Sequence, residues 1–235
     1  MDWINGKQLF ALLMFIGLVF SFYWFYLNNK KLQMKMTKAA FVFAPPFLLL
    51  WGFISTMYFL PFIEAFGNAS KMPGLRLYGS LFFDWIAVLL VAKLFRIDLK
   101  KLFDVWTISM VAYLAVGRVN CLVTGCCYGT PFLGTEWRWP IREIEIIANI
   151  GFLIFFIPRV LRNKTNGELY PLFLVYYGAI RFVLEWFRVE GYPIGPFHLA
   201  HLWSILSIIT GYSIYATIVS KNKLPERERK GRKST

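Results

Sequence analysis

Runs of apolar residues long enough to cross a bilayer recur through this chain, and no other feature narrows its fold as much. A spanning helix needs about 20 consecutive, mostly apolar residues. The segments 8–27, 39–63, 77–95, 102–124, 143–161, 169–187 and 198–220 each read as one. Composition agrees: 57% of residues are hydrophobic and 19% aromatic, above the roughly 45–50% apolar content of soluble domains. The sequence therefore predicts an all-α integral membrane protein with seven transmembrane helices. Residues 1–220 form one domain, and the charged stretch 221–235 is a basic tail expected to be disordered. The first run lacks a small-residue cleavage pattern after it and reads as a retained helix. Pro45-Pro46 should kink the start of the second helix. Without an internal repeat or paired broken helices, a transporter is disfavoured.

Charge sets the expected orientation. The net charge of +13 sits in short clusters between apolar runs, which excludes a nucleic-acid face and points to membrane lipids as partners. The segments after helices one, three and five, with the tail, carry 17 lysines and arginines, against 6 on the other side. Cytoplasmic segments are the basic ones, so the N-terminus is expected outside and the C-terminus in the cytoplasm.

Two spans carry charge inside hydrocarbon, where an ionised group is costly and marks function by default. Arg118 lies about six residues before the outer end of helix four, roughly 9 Å at 1.5 Å per residue. Arg181 lies at a similar depth in helix six, with Glu185 one turn above it and Tyr177 one turn below. Tyr78 opens helix three, and His198 and His201, on one face, open helix seven. These groups converge in the outer leaflet, and the two arginines suit a phospholipid headgroup. The structural alternative is a salt bridge; it accounts for Arg181 with Glu185 but leaves Arg118 without a carboxylate in its own helix.

The three cysteines cannot all pair, and a bridge between adjacent Cys126 and Cys127 would be strained. Their plainest use is as small packing residues, while a thiolate at Cys126, near Arg118, is the reactive alternative. A metal site from Cys126, Cys127, His198 and His201 has suitable ligand types, but adjacent cysteines fit a tetrahedron awkwardly, so no metal is assigned.

The stretch from Gly117-Arg118 through Gly125 and Gly129, with Tyr177-Gly178-x-x-Arg181-x-x-x-Glu185 and Gly167-Glu168-Leu169-Tyr170, resembles the phosphatidylglycerol–prolipoprotein diacylglyceryl transferases over roughly residues 75–215. The resemblance implies a multi-pass protein of the bacterial cytoplasmic (inner) membrane, with seven helices, N-terminus out and C-terminus in. It implies transfer of diacylglyceryl from phosphatidylglycerol to a prolipoprotein cysteine, with release of glycerol phosphate. Arg118 would then bind the lipid phosphate, with Tyr78, Cys121 and His198 beside it. Arg181 would stabilise the departing phosphate, Glu185 would fix Arg181, and Tyr177 would position a lipid oxygen. No metal or organic cofactor is called for, since guanidinium groups can stabilise the leaving group.

The chain also departs from the family pattern. Cys121 stands where an asparagine is usual and Cys126 where a glutamate is, and the His-Gly-Gly motif reads Tyr78-Gly79-Ser80. A tyrosine titrates too high to act as general base at neutral pH, which leaves Cys126 and His201 as the candidates for activating the acceptor. A phospholipid-binding protein without catalysis is the alternative reading.

Overall fold

A computed structural model of the chain describes residues 6–32, 34, 36–59, 77–189, 193–194 and 196–231. The polar start around Trp3, the loop from Glu64 to Arg76, and Gly191 and Gly195 of the later loop lie outside the described residues. Among those described there are seven α-helices: α1 Gly6–Lys31, α2 Lys38–Ile54, α3 Leu77–Phe95, α4 Leu99–Thr124, α5 Ile141–Leu161, α6 Leu169–Glu185 and α7 Leu199–Gly231. A two-residue hairpin, β1 Pro193–Ile194 and β2 Phe197–His198, joins α6 to α7. Helix α7 carries helical backbone to Gly231, into the stretch assigned to the tail.

Six of the seven helices, all but α6, are long and apolar enough to cross a membrane. These are the spans of a multi-pass membrane protein. Helix α6 has 17 residues and buries ten of them, Arg181 and Glu185 included. It lies inside the bundle, so its composition is set by helix partners and polar groups rather than by lipid.

Local chemistry explains where helices start and stop. Asp98 caps α4, accepting from the backbone N–H of Lys100 at 3.0 Å and of Lys101 at 3.3 Å. Gly125 ends α4 in the left-handed conformation (φ 65°), and its N–H bonds back to Cys121. Helix α2 runs through Pro45 and Pro46 and closes in a π turn, Ser55–Phe59.

Helix α4 is the hub, packing on α1, α3, α5 and α6, while α6 packs most extensively on α7. Small residues allow the close crossings: a Cβ at Gly178 would lie 2.9 Å from the Ser204 carbonyl oxygen, and one at Gly211 2.6 Å from that of Pro171. Side chains also donate across helices to backbone carbonyls. Trp24 Nε1 reaches Val105 at 3.0 Å and Ser207 Oγ reaches Leu174 at 2.8 Å.

The start of α6 is capped from another helix. Glu168 makes no capping bond of its own. Instead the buried carboxylate of Asp104, on α4, accepts from Gly167 N at 2.8 Å and Leu169 N at 3.1 Å. It thereby satisfies orphan donors and faces the positive end of the helix dipole. Asp104→Ala is expected to destabilise the protein by roughly 1–3 kcal/mol, the cost of buried donors left unpaired, with Asp104→Asn milder. Thermal unfolding in detergent measures it.

Candidate active site

The helix ends that meet at one end of the bundle are the C-terminal ends of α4 and α6 and the N-terminal ends of α3, α5 and α7. Strapping them together, Thr130 N donates to Phe187 O at 2.7 Å, and Gly129 forms a bridge with Arg188. Phe132, Trp137, Trp139 and Phe187 pack ring on ring beneath this loop, with Trp139 and Phe187 centroids 4.5 Å apart.

The structure brings Arg118 and Arg181 together, and it does so through Glu145 of α5. Arg118 Nε lies 2.5 Å from Glu145 Oε2, and its Nη2 donates to Oε1 at 3.2 Å. Arg181 Nη1 donates to the same Oε1 at 2.9 Å. Beyond it, Arg181 Nη2 pairs with Glu185 Oε2 at 2.8 Å, one turn along α6. Glu185 in turn meets Arg188 Nη1 at 3.8 Å and His198 Nδ1 at 3.4 Å. The side chains of Glu145 and Glu185 are only 1–2% exposed, whereas that of Arg118 is 15% exposed. Carboxylates thus form the inner part of the network, and a guanidinium its more open part. Apart from His198, the three guanidinium groups of Arg118, Arg181 and Arg188 face two carboxylates, one positive charge in excess.

Glu145 does not stand out in the sequence. Its signal was present, a carboxylate between Ile144 and Ile146 near the start of an apolar helix. Glu143 and Arg142 beside it made the segment look like an exposed helix end.

The tyrosines line the same site. The Tyr177 hydroxyl lies against the Arg118 guanidinium. The Tyr78 ring meets that of Tyr177 edge-on, with centroids 6.1 Å apart. The Ser204 hydroxyl donates to Ala200 O at 2.7 Å, so the 2.6 Å contact between Tyr78 and Ser204 has Tyr78 as donor. Both tyrosines are buried.

The histidines divide differently from the helical pairing read in the sequence. Helix α7 begins at Leu199, so His198 lies in the hairpin and turns to Glu185. His201 instead accepts from His198 N through Nδ1 at 3.0 Å, capping the first turn. Its ring is boxed by Phe182, Trp186 and Phe197, with Nε2 buried and without a hydrogen-bond partner among the described residues.

No disulfide joins the three cysteines, and their sulfurs lie within 4.8 Å of one another. Among the described residues this trio is the group with metal-ligand spacing; the histidines take no part.

An apolar cavity of about 450 Å³ lies between α3, α6 and α7. Leu81, Phe82, Trp85, Tyr170, Leu174 and Ile214 are among its lining. Phe103 near the start of α4, Gly167 before α6 and Ile218 late in α7 also line it, so from Leu81, one turn beyond Tyr78, it runs toward the end of the bundle away from Arg118 and Arg181.

A buried network of arginines and glutamates, within a bundle of membrane-spanning helices, defines a membrane protein with an internal polar site. The sequence profile described as prolipoprotein diacylglyceryl transferase matches residues 7–217, and the chain belongs to that family. It is 27% identical over 147 residues to the phosphatidylglycerol–prolipoprotein diacylglyceryl transferase of Finegoldia magna, covering 59% of each chain. The protein of the same name from Lactococcus lactis subsp. lactis is 24% identical over 159 residues, 60% of this chain and 61% of that one. The one from Clostridioides difficile is 24% identical over 160 residues, 64% and 63% of the two chains. The chain thus spans about six tenths of the length of the first two of these curated relatives.

Proposed function

We propose that the protein transfers the diacylglyceryl group of phosphatidylglycerol to the cysteine thiol of a prolipoprotein, releasing glycerol phosphate. One observation carries this reading: Arg118 and Arg181, from different helices, share Glu145 within a buried network of three guanidinium groups and two carboxylates, with an apolar cavity further along the bundle. A phosphodiester carries one negative charge, and its acyl chains need apolar surroundings. A guanidinium fork can donate two parallel hydrogen bonds to phosphate oxygens.

In the reaction the acceptor sulfur forms a bond to the glyceryl carbon bearing the phosphate ester. The C–O bond breaks, its electron pair leaves on the phosphate oxygen, and the thiol proton passes to solvent. Arg118 holds the phosphate, Arg181 stabilises the charge gathering on the leaving group, and Tyr177 positions a lipid oxygen. Glu145 and Glu185 are positioning residues that fix the two forks. The cavity takes an acyl chain. With Tyr78 in place of the family's histidine, the same site also suits a protein that binds the lipid without turnover. A purified sample given phosphatidylglycerol and a lipobox peptide separates the two readings by whether the peptide gains mass.

The proposal includes seven spans, with the N-terminus outside and the C-terminus in the cytoplasm of a bacterial cell. The basic bias of 17 to 6 supports it. In a background with the three native cysteines changed to serine, a cysteine at Thr135 should react with a membrane-impermeant thiol reagent in intact cells. One at Asn163 should react only after lysis. Reversed labelling would put the arginines in the wrong leaflet.

A further inference from the structure

The end of α4 is folded to bring three sulfurs together. Cys121 stands three residues after Arg118, one turn along α4. Two residues in the left-handed region, Gly125 (φ 65°) and Cys127 (φ 57°), flank Cys126 and turn the chain back over the helix end. A non-glycine residue with such a φ is uncommon and gathers at functional sites. Backbone bonds hold the turn, since the N–H groups of Gly125 and Cys126 both reach Cys121 O, the latter at 3.1 Å. Arg142 of α5 clamps it from outside, its Nη1 lying 3.4 Å from Cys121 O and 3.2 Å from Cys126 O, with its guanidinium over the Tyr128 ring. Cys126 is exposed, while Cys121 and Cys127 are half-buried.

We propose that Cys121, Cys126 and Cys127 form a trithiolate site for a thiophilic d10 cation, zinc(II) foremost, whose fourth position takes the sulfur of the acceptor thiol. The second half rests on the transfer reading above. Thiolates on tetrahedral zinc, at about 2.3 Å from the metal, lie about 3.8 Å apart. Sulfurs already within 4.8 Å need only a small contraction to reach that spacing. Adjacent cysteines fit because, with Cys127 in the left-handed region, both sulfurs lie within 4.8 Å of each other and of Cys121. Three thiolates on a divalent cation leave one net negative charge, and Arg118 and Arg142 supply positive charge beside it.

Three protein ligands and one open position make a site of catalytic rather than structural type. A thiol bound there loses its proton to water and stays nucleophilic at neutral pH. That sulfur then bonds to the glyceryl carbon as the C–O bond breaks and glycerol phosphate departs, with no change in metal oxidation state. The task left open by Tyr78 is thereby filled by the cysteines themselves.

The test uses the full chain in detergent micelles, with cobalt(II) as a spectroscopic probe and zinc(II) as competitor. One equivalent of cobalt should bind with thiolate-to-cobalt charge-transfer intensity counting three sulfurs, and zinc should displace it. Zinc should also protect all three thiols from maleimide, counted by intact mass. Each Cys→Ser change should weaken binding at least tenfold, and the triple serine variant should bind none. A lipobox peptide should then raise the sulfur count to four, and its Cys→Ser form should not.

Equal cobalt binding by wild type and triple variant, fewer than three sulfurs, or a disulfide within the trio that resists metal would overturn the site. A cobalt spectrum unmoved by the peptide, or full transferase activity in the triple serine variant, would overturn the acceptor role. None of the spectroscopic readouts needs turnover. A four-sulfur spectrum with intact phosphatidylglycerol would therefore sink the transfer reading and leave the thiol site standing.

Discussion

Glu145→Ala should destabilise the bundle by roughly 3–5 kcal/mol, the range for removing one partner from a buried ion pair. Glu145 accepts from both Arg118 and Arg181 and is nearly inaccessible, so its loss strands two guanidinium groups. Arg181 keeps Glu185, but Arg118 has no other carboxylate among its described ion-pair partners. Glu145→Gln keeps the shape and one acceptor oxygen while removing the charge, so it should fall between wild type and alanine. Both are read by thermal unfolding in detergent. Added phosphatidylglycerol should restore more stability to Glu145→Ala than it adds to wild type, because a lipid phosphate supplies the missing negative charge. An alanine variant as stable as wild type would mean that something else holds the arginines.

The second large effect concerns the arginines themselves. Arg118→Lys should lower turnover by roughly 10²-fold or more, the size of effect seen when one preorganised donor to a developing anion is removed. An ammonium is a point charge and cannot supply two parallel bonds. Arg118→Ala should also weaken phosphatidylglycerol binding by roughly 1.5–3 kcal/mol, the worth of a hydrogen bond to a charged group. Arg181→Lys should lower rate more than affinity, since its role is in the departing phosphate. If Arg118→Ala binds the lipid as wild type does, Arg118 is simply the ion-pair partner of Glu145 and the lipid site lies elsewhere.

Much of this could be read from residues. The helix positions follow from apolar run lengths. The meeting of Arg118, Arg181, Tyr177 and Tyr78 follows from up-and-down topology and one-turn spacing. What escaped depended on contacts between distant segments. Glu145 and Asp104 sit in helices whose polar ends look solvated, and only packing shows that one bridges two arginines while the other caps α6. The histidines, read together on one helix face, part because α7 starts at Leu199, which leaves His198 in the hairpin facing Glu185 and His201 in an aromatic box. Helix α6 has 17 residues, fewer than the six apolar spans, and buries ten of its residues against neighbouring helices. The sulfur cluster depends on a left-handed cysteine, a conformation that no propensity scale assigns to Cys127.

Turnover tests the central claim most directly. Purified protein in detergent, with phosphatidylglycerol and a synthetic lipobox peptide, is followed by mass spectrometry of the peptide and by glycerol phosphate release. The account predicts a peptide heavier by one diacylglyceryl group, thioether-linked, with one glycerol phosphate per modified peptide, and loss of both in Arg118→Lys. Lipid that binds yet stays intact, beside an unmodified peptide with and without added zinc, would contradict it and identify a binding protein built on the transferase fold.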